Sequence, residues 1–265
     1  MTTDTLAAVR RRHPVVVAGA LEGVVVLGLW VAYSLSRLVA SAALAPARHR
    51  AEELLAAERR LGLAWEGPIN HVVARSDVLG TLSSYWYAAM HYVVTVAVLV
   101  WLFRRGSGAY LPARRTLAHA TVLALVAYLL LPTAPPRFVP GFVDVLHRYA
   151  AHGWWSADAS APRGLGGLTN ELAAFPSLHA GWALWVALVA HRHATRSWVR
   201  AAGWAYALAT AVVVVGTGNH WVLDVLGGWF VVLLAWVLVD RHPGRWPGLR
   251  LPRAARAPCG PPPDR

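Results

Sequence analysis

Lysine is missing from this chain: all 25 of its basic residues are arginine. Acids are few as well, 13 against those 25, so the formal charge is +12. Charged residues make up only 14% of the 265, while 57% are hydrophobic and mean hydropathy is +0.43. That balance leaves too little polar surface for a water-soluble domain and is the composition of a membrane protein. Cysteine occurs once, at Cys259 in a Pro-rich tail, which excludes an internal disulfide framework and a Cys-x-x-Cys metal site.

What is abundant is long apolar runs. A hydrocarbon core of roughly 30 Å takes about 20 mostly apolar helical residues, since irregular backbone in lipid leaves amides unpaired. Six runs qualify, at about Val15 to Ala40, Leu82 to Phe103, Thr116 to Leu131, Phe175 to Ala190, Val199 to Val215 and Trp221 to Val239. The first follows "RRRH" and is too long for a signal peptide, so a retained anchor is expected despite "ASA" after it. Between the first two runs, "ALAPARHRAEELLAAERRLGLAW" mixes Leu and Ala with paired charges at helical spacing. It is too charged to span and is expected as an amphipathic helix in the interface. The stretch Pro132 to Leu172 carries Pro135, Pro136, Pro140, Trp154, Trp155 and "RGLGGL", and is expected as a loop near the headgroups.

The expected fold is therefore all-α, a polytopic bundle of six transmembrane helices over residues 15–240. A basic N-terminus, 1–14, and a disordered Arg/Pro-rich tail, 241–265, flank it. An even number of spans puts both termini on one side with Arg104, Arg105, Arg114, Arg115, Arg192, Arg196 and Arg200. The other side holds nine arginines and nine acids, so the whole +12 falls on the first, which the arginine bias assigns to the cytoplasm. A cell-membrane protein with both termini cytoplasmic accounts for the charge through topology and anionic lipid contact, and nucleic acid is not required.

Polar residues at membrane depth then gain meaning, because an ionisable group in a spanning helix is costly. Arg137 follows the third run, His179 opens the fourth, and Thr217, Asn219, His220 and Asp224 sit between the fifth and sixth, all at the extracytoplasmic face. His220 and Asp224 are spaced i and i+4, so on a helix the carboxylate can hold one imidazole nitrogen while the other points out as a nucleophile or base. His179 is left to act as an acid. Pro176 suits a first helical turn, and the free amides there favour a bound anion such as phosphate. Arg137 adds a fork of donors matched to phosphate oxygens.

At these residues the chain resembles the type 2 phosphatidic acid phosphatase superfamily, whose three signatures end in Arg-Pro, Pro-Ser-x-His and, after Ser-Arg, His-x-x-x-Asp. Here they read "PTAPPR", "PSLH" and "HWVLD", the first without its lysine and the third with Val213 and Val214 where Ser-Arg would stand. These departures resemble the inositolphosphotransferase branch, similar to fungal inositol phosphorylceramide synthase and to many actinobacterial membrane proteins. The resemblance runs from about Glu52 to Val239. It implies an integral membrane phosphatase or phosphotransferase acting on a lipid phosphate or phosphodiester through a phosphohistidine. His220 would attack phosphorus, Asp224 orient it, His179 protonate the departing oxygen, and Arg137 bind the phosphoryl oxygens, with Ser177, Thr217 and Asn219 as lesser phosphate donors. The acceptor would be water or an alcohol such as inositol or a sugar. No metal or other cofactor is implied.

Each residue also has a plainer reading. His220 and Asp224 alone can be a structural histidine and its partner, and Arg137 alone a headgroup contact. Tyr85, Tyr87 and His91 could line an acceptor pocket, but polar contacts that pack helices are the reading preferred for them. Glu22 is read as snorkelling or hydrogen-bonded, and Gly227 and Gly228 as permitting the packing that brings His220 near His179. Two other function classes stay open. One is a zinc hydrolase using His179, His220 and Asp224 as ligands. The other is a transporter with a proton relay, for which polar residues gathered at one face are a poorer fit. Ser177 lacks the Gly-x-Ser-Gly setting of a rhomboid-like protease.

Overall fold

The computed structural model describes residues 28, 31, 44–155 and 171–241. Glu22, Cys259 and the basic N-terminus lie outside the described residues, as do nearly all of the first expected span and of the tail. Among the described residues all regular structure is helical, and the only extended contact is a bridge between Thr133 and Ala173.

Helix α1 (Leu44–Leu61) covers the segment expected in the interface, and α2 (Glu66–Arg75) follows it. The second expected run proves to be part of a longer rod. Asp77–Tyr85, a π-helical turn at Trp86–Met90 and His91–Arg105 continue as one 29-residue helix, α3 (Asp77–Arg105). Ser76 caps it by accepting from the Leu79 amide at 3.3 Å, and Asp77 complements the positive end of the helix. Gly106, at φ +99°, makes the tight reversal into α4 (Ser107–Leu130). A short α5 (Val145–Arg148) lies in the long connection, and α6 (Leu178–His193), α7 (Ser197–Gly216) and α8 (Val222–Arg241) complete the order.

Among the described residues three helices, α3, α7 and α8, are long and apolar enough to cross a membrane. Helix α4 begins earlier than its apolar run and carries Arg114 and Arg115. Helix α6 has 16 residues, nine of them buried, and touches α3, α4, α7 and α8, so it is the helix the others surround. Its closest approach is to α8: a Cβ on Gly228 would stand 2.1 Å from the Ser177 carbonyl oxygen, and one on Gly181 would stand 3.0 Å from that of Gly228. Small residues let the two backbones meet.

Tryptophan fastens the bundle crosswise. The indole N–H groups of Trp86, Trp182, Trp185 and Trp221 donate to Thr210 Oγ1, Thr121 Oγ1, the Ala113 carbonyl and the Ala134 carbonyl at 2.9 to 3.1 Å. Each therefore adds a polar tie to its buried ring. Short turns make sequential helices antiparallel. Arg105, Arg192, Arg200 and Arg241 consequently share one end, and His179, Thr217 and Asp224 share the other.

Candidate active site

The sequence motifs converge where the ends of α4 and α7 meet the starts of α6 and α8. Helix α6 begins at Leu178, two residues after the Pro176 that the sequence suggests for its first turn. Ser177 is its N-cap, with Oγ accepting from the Ala180 amide at 3.3 Å, and Pro176 precedes it outside the helix. The side chain expected to meet phosphate thus caps the helix that presents His179 in its first turn.

His220 also stands off its helix. Because α8 starts at Val222, His220 belongs to the turn after α7, and the shared helix face expected from its i, i+4 spacing is not what joins it to Asp224. Instead Asp224 Oδ2 reaches back to the Trp221 amide at 2.8 Å, as a residue in a first helical turn does, and lies 3.4 Å from His220 Nδ1. The Ala174 carbonyl oxygen is closer to that nitrogen, at 3.0 Å. A backbone carbonyl only accepts, so Nδ1 carries the proton and Nε2 the lone pair. Nε2 is buried and has no hydrogen-bond partner among the described residues.

The His179 ring lies 5.7 Å from that of His220, stacked on Tyr87 at 4.2 Å and edge-on to His91 at 4.1 Å. Tyr87 falls within the π-helical turn, a departure frequent at functional sites. Tyr87 and His91 thus pack directly against a site histidine. Tyr85 lies apart, donating its hydroxyl to the His152 carbonyl and meeting Trp154 and Trp155 edge-on.

Arg137 sits on a 3-10 turn, Pro136–Phe138, and its amide donates to the Gly218 carbonyl at 2.9 Å. Its guanidinium donates to Asn219 Oδ1, and its Nε lies 3.5 Å from Asp144 Oδ2. Two neighbours therefore aim it. Gly218 has φ +75°, and a Cβ there would stand 2.8 Å from the Val143 carbonyl, so this turn needs glycine. Thr217 Oγ1 donates to the Val214 carbonyl at 3.2 Å and Asn219 Nδ2 to the Thr217 carbonyl at 3.4 Å, so both expected phosphate donors brace the turn in this structure.

Three polar residues not singled out in the sequence complete the surroundings. Asn70 is fully buried and crosslinks α2 to both neighbours, donating to the Val143 and Gly216 carbonyls at 2.9 and 3.0 Å and accepting from the Val143 amide. Glu58 Oε1 accepts from the Leu223 amide at 2.7 Å, and Glu66 Oε1 from the Val222 amide at 2.8 Å. Burial, then the neighbouring Glu66 carboxyl, push the Glu58 carboxyl up to about 9. One signal for Glu58 was available: with Ala47 and Ala51 it lies on a single stripe of α1, the buried one.

The donor set suits phosphoryl transfer better than metal binding. Asp224 lies at the Nδ1 side of His220, away from the unpartnered Nε2, and no group of three or more His, Cys, Asp or Glu among the described residues is arranged to hold an ion. No curated protein and no solved structure matches the chain. A family model described as the PAP2 superfamily matches residues 52–238, from within α1 to near the end of α8. The chain therefore belongs to the PAP2 superfamily, a family of phosphatases and phosphotransferases.

Proposed function

We propose that this protein is an integral membrane phosphatase or phosphotransferase that cleaves a lipid phosphoester through a phosphohistidine at the extracytoplasmic face of a six-span bundle. The observation that carries the reading is His220, whose Nδ1 is anchored by a carbonyl while Nε2 stays buried and unpartnered. In the first step Nε2 bonds to phosphorus as the phosphorus–oxygen bond of the leaving alcohol breaks. His179 gives that oxygen its proton. In the second step His179 takes a proton from water or an acceptor alcohol, whose oxygen displaces His220. Arg137 balances charge on the transferring group, and Asp224 and the Ala174 carbonyl stabilise the cationic ring. Departures in the first and third signatures favour the inositolphosphotransferase branch, with inositol or a sugar as acceptor.

The test is a panel of lipid phosphates and phosphodiesters offered to detergent-solubilised protein, with and without inositol or sugars. Phosphate release that depends on His220, or transfer to one alcohol, supports the reading. Turnover unchanged in His220→Ala overturns it.

A further inference from the structure

Three carboxyl groups gather at the first turn of α8. The amides of Trp221, Val222 and Leu223, which a helix leaves unpaired, donate to Asp224 Oδ2, Glu66 Oε1 and Glu58 Oε1 at 2.8, 2.8 and 2.7 Å. Asp224 belongs to α8 itself. Glu58 and Glu66 come from α1 and α2, more than 150 residues earlier in the chain, and are 0% and 1% exposed. Neither forms an ion pair among the described residues. Their other oxygens, Glu58 Oε2 and Glu66 Oε2, are buried and have no hydrogen-bond partner among the described residues. Burial and the neighbouring Glu66 favour the protonated form of Glu58, since two carboxylates close together and out of water are not both readily ionised.

We propose that Glu58 and Glu66 are positioning residues for phosphoryl transfer, a pair of buried carboxyl groups that clamps the start of α8 and thereby sets where Asp224 and His220 stand. The inference rests on the reading of His220 as the nucleophile. Leu223 immediately precedes Asp224, and Val222 is two residues after His220, so the clamped amides bracket the segment that must face phosphorus. The two glutamates reach it from separate helices, which fixes both the rotation of α8 and its slide along its axis. A protonated Glu58 accepts from the Leu223 amide without adding a further charge beside Asp224. Glu58 faces Glu66 from α2 and Asp224 from α8, both carboxyl groups, so nothing basic offsets loss of the proton.

The experiment uses the full chain in detergent, with p-nitrophenyl phosphate and a short-chain phosphatidic acid as substrates and His220→Ala as control. Glu58→Ala and Glu66→Ala should lower kcat about 10²-fold, the scale of a small misplacement of reacting groups, with KM little changed. Glu58→Gln keeps a neutral hydrogen-bond donor and should recover most of that loss. It should also remove the alkaline limb expected of the wild type as pH rises through the raised Glu58 value of about 9, an effect that simple loss of packing would not produce. Activity that survives in His220→Ala overturns the phosphoryl-transfer reading, and the positioning role falls with it. Activity that needs His220 but is undiminished in both alanine variants overturns the positioning role alone. Should the alanine variants fail to fold, Glu58→Gln decides: an alkaline limb identical to the wild type overturns the clamp.

Discussion

The Ala174 carbonyl lies 3.0 Å from His220 Nδ1, closer than Asp224 Oδ2 at 3.4 Å. The tautomer that frees Nε2 is thus held by main chain and does not depend on a carboxylate alone. In triads where the carboxylate alone sets the tautomer, its amide replacement costs about 10⁴-fold.

Asp224→Asn should therefore cost nearer 10²-fold in kcat, because the carbonyl still fixes the ring and only the charge that stabilises the imidazolium is lost. His220→Ala should abolish turnover. Steady-state rates on one lipid phosphate decide the matter, and a loss in Asp224→Asn as complete as in His220→Ala would show that the carbonyl contributes nothing.

His179 should separate good leaving groups from poor ones. An alkoxide needs the proton that His179 supplies, while p-nitrophenolate hardly does, so His179→Ala should still phosphorylate His220 from an aryl phosphate and then stall. The readout is an acid-labile, base-stable phosphoprotein that disappears when His220 is also replaced. Equal loss of aryl and alkyl substrates with nothing trapped would remove His179 from this role.

Much of the bundle could be read in advance, because spanning helices announce themselves by length and apolarity. The expected runs at 199–215 and 221–239 match α7 and α8 within two residues at each end. Helix α4 was anticipated short at its start, since Pro112, Arg114 and Arg115 resemble a boundary in sequence, yet the helix runs through them. Glu58 went unnoticed for a related reason. Charges on an amphipathic segment are assumed to face water, and only the fold places this one against the first turn of α8.

Gly228→Ala should be more damaging than Gly67→Ala or Gly108→Ala, since a Cβ at Gly228 would lie 2.1 Å from a backbone oxygen that cannot swing aside. Overpacking of this kind costs about 1–3 kcal/mol or more. Thermal unfolding in detergent should show the loss, and activity should fall with it as α6 and α8 part. An unshifted midpoint would mean that the helices cross more loosely than described.

Stability should decline on the alkaline side. The folded protein holds the Glu58 proton up to about pH 9, whereas the ordinary value is 4.5, so the folded state binds a proton that the unfolded chain has released. The contribution is full below the lower value and is lost as pH rises through the upper one. Melting midpoints should drop across that window for the wild type and flatten in Glu58→Gln. A midpoint that climbs with pH, or an identical slope in both proteins, would contradict a protonated Glu58.

Orientation can be read chemically. His152 is exposed in the long connection between α4 and α6, so His152→Cys in a Cys259→Ala background should react with an impermeant maleimide on intact cells. Labelling only after lysis would invert the topology.

The clamp on α8 also bears on biosynthesis. Glu58 and Glu66 leave the ribosome more than 150 residues before the amides they will accept from, and those amides belong to α8, the last of the described helices. Until that helix docks, both carboxyl groups lack their backbone donors. His220 likewise follows the Ala174 carbonyl beside its Nδ1 by 46 residues. A chain arrested before α8 would therefore lack the contacts that order this end of the bundle, and the site should be completed only late in synthesis.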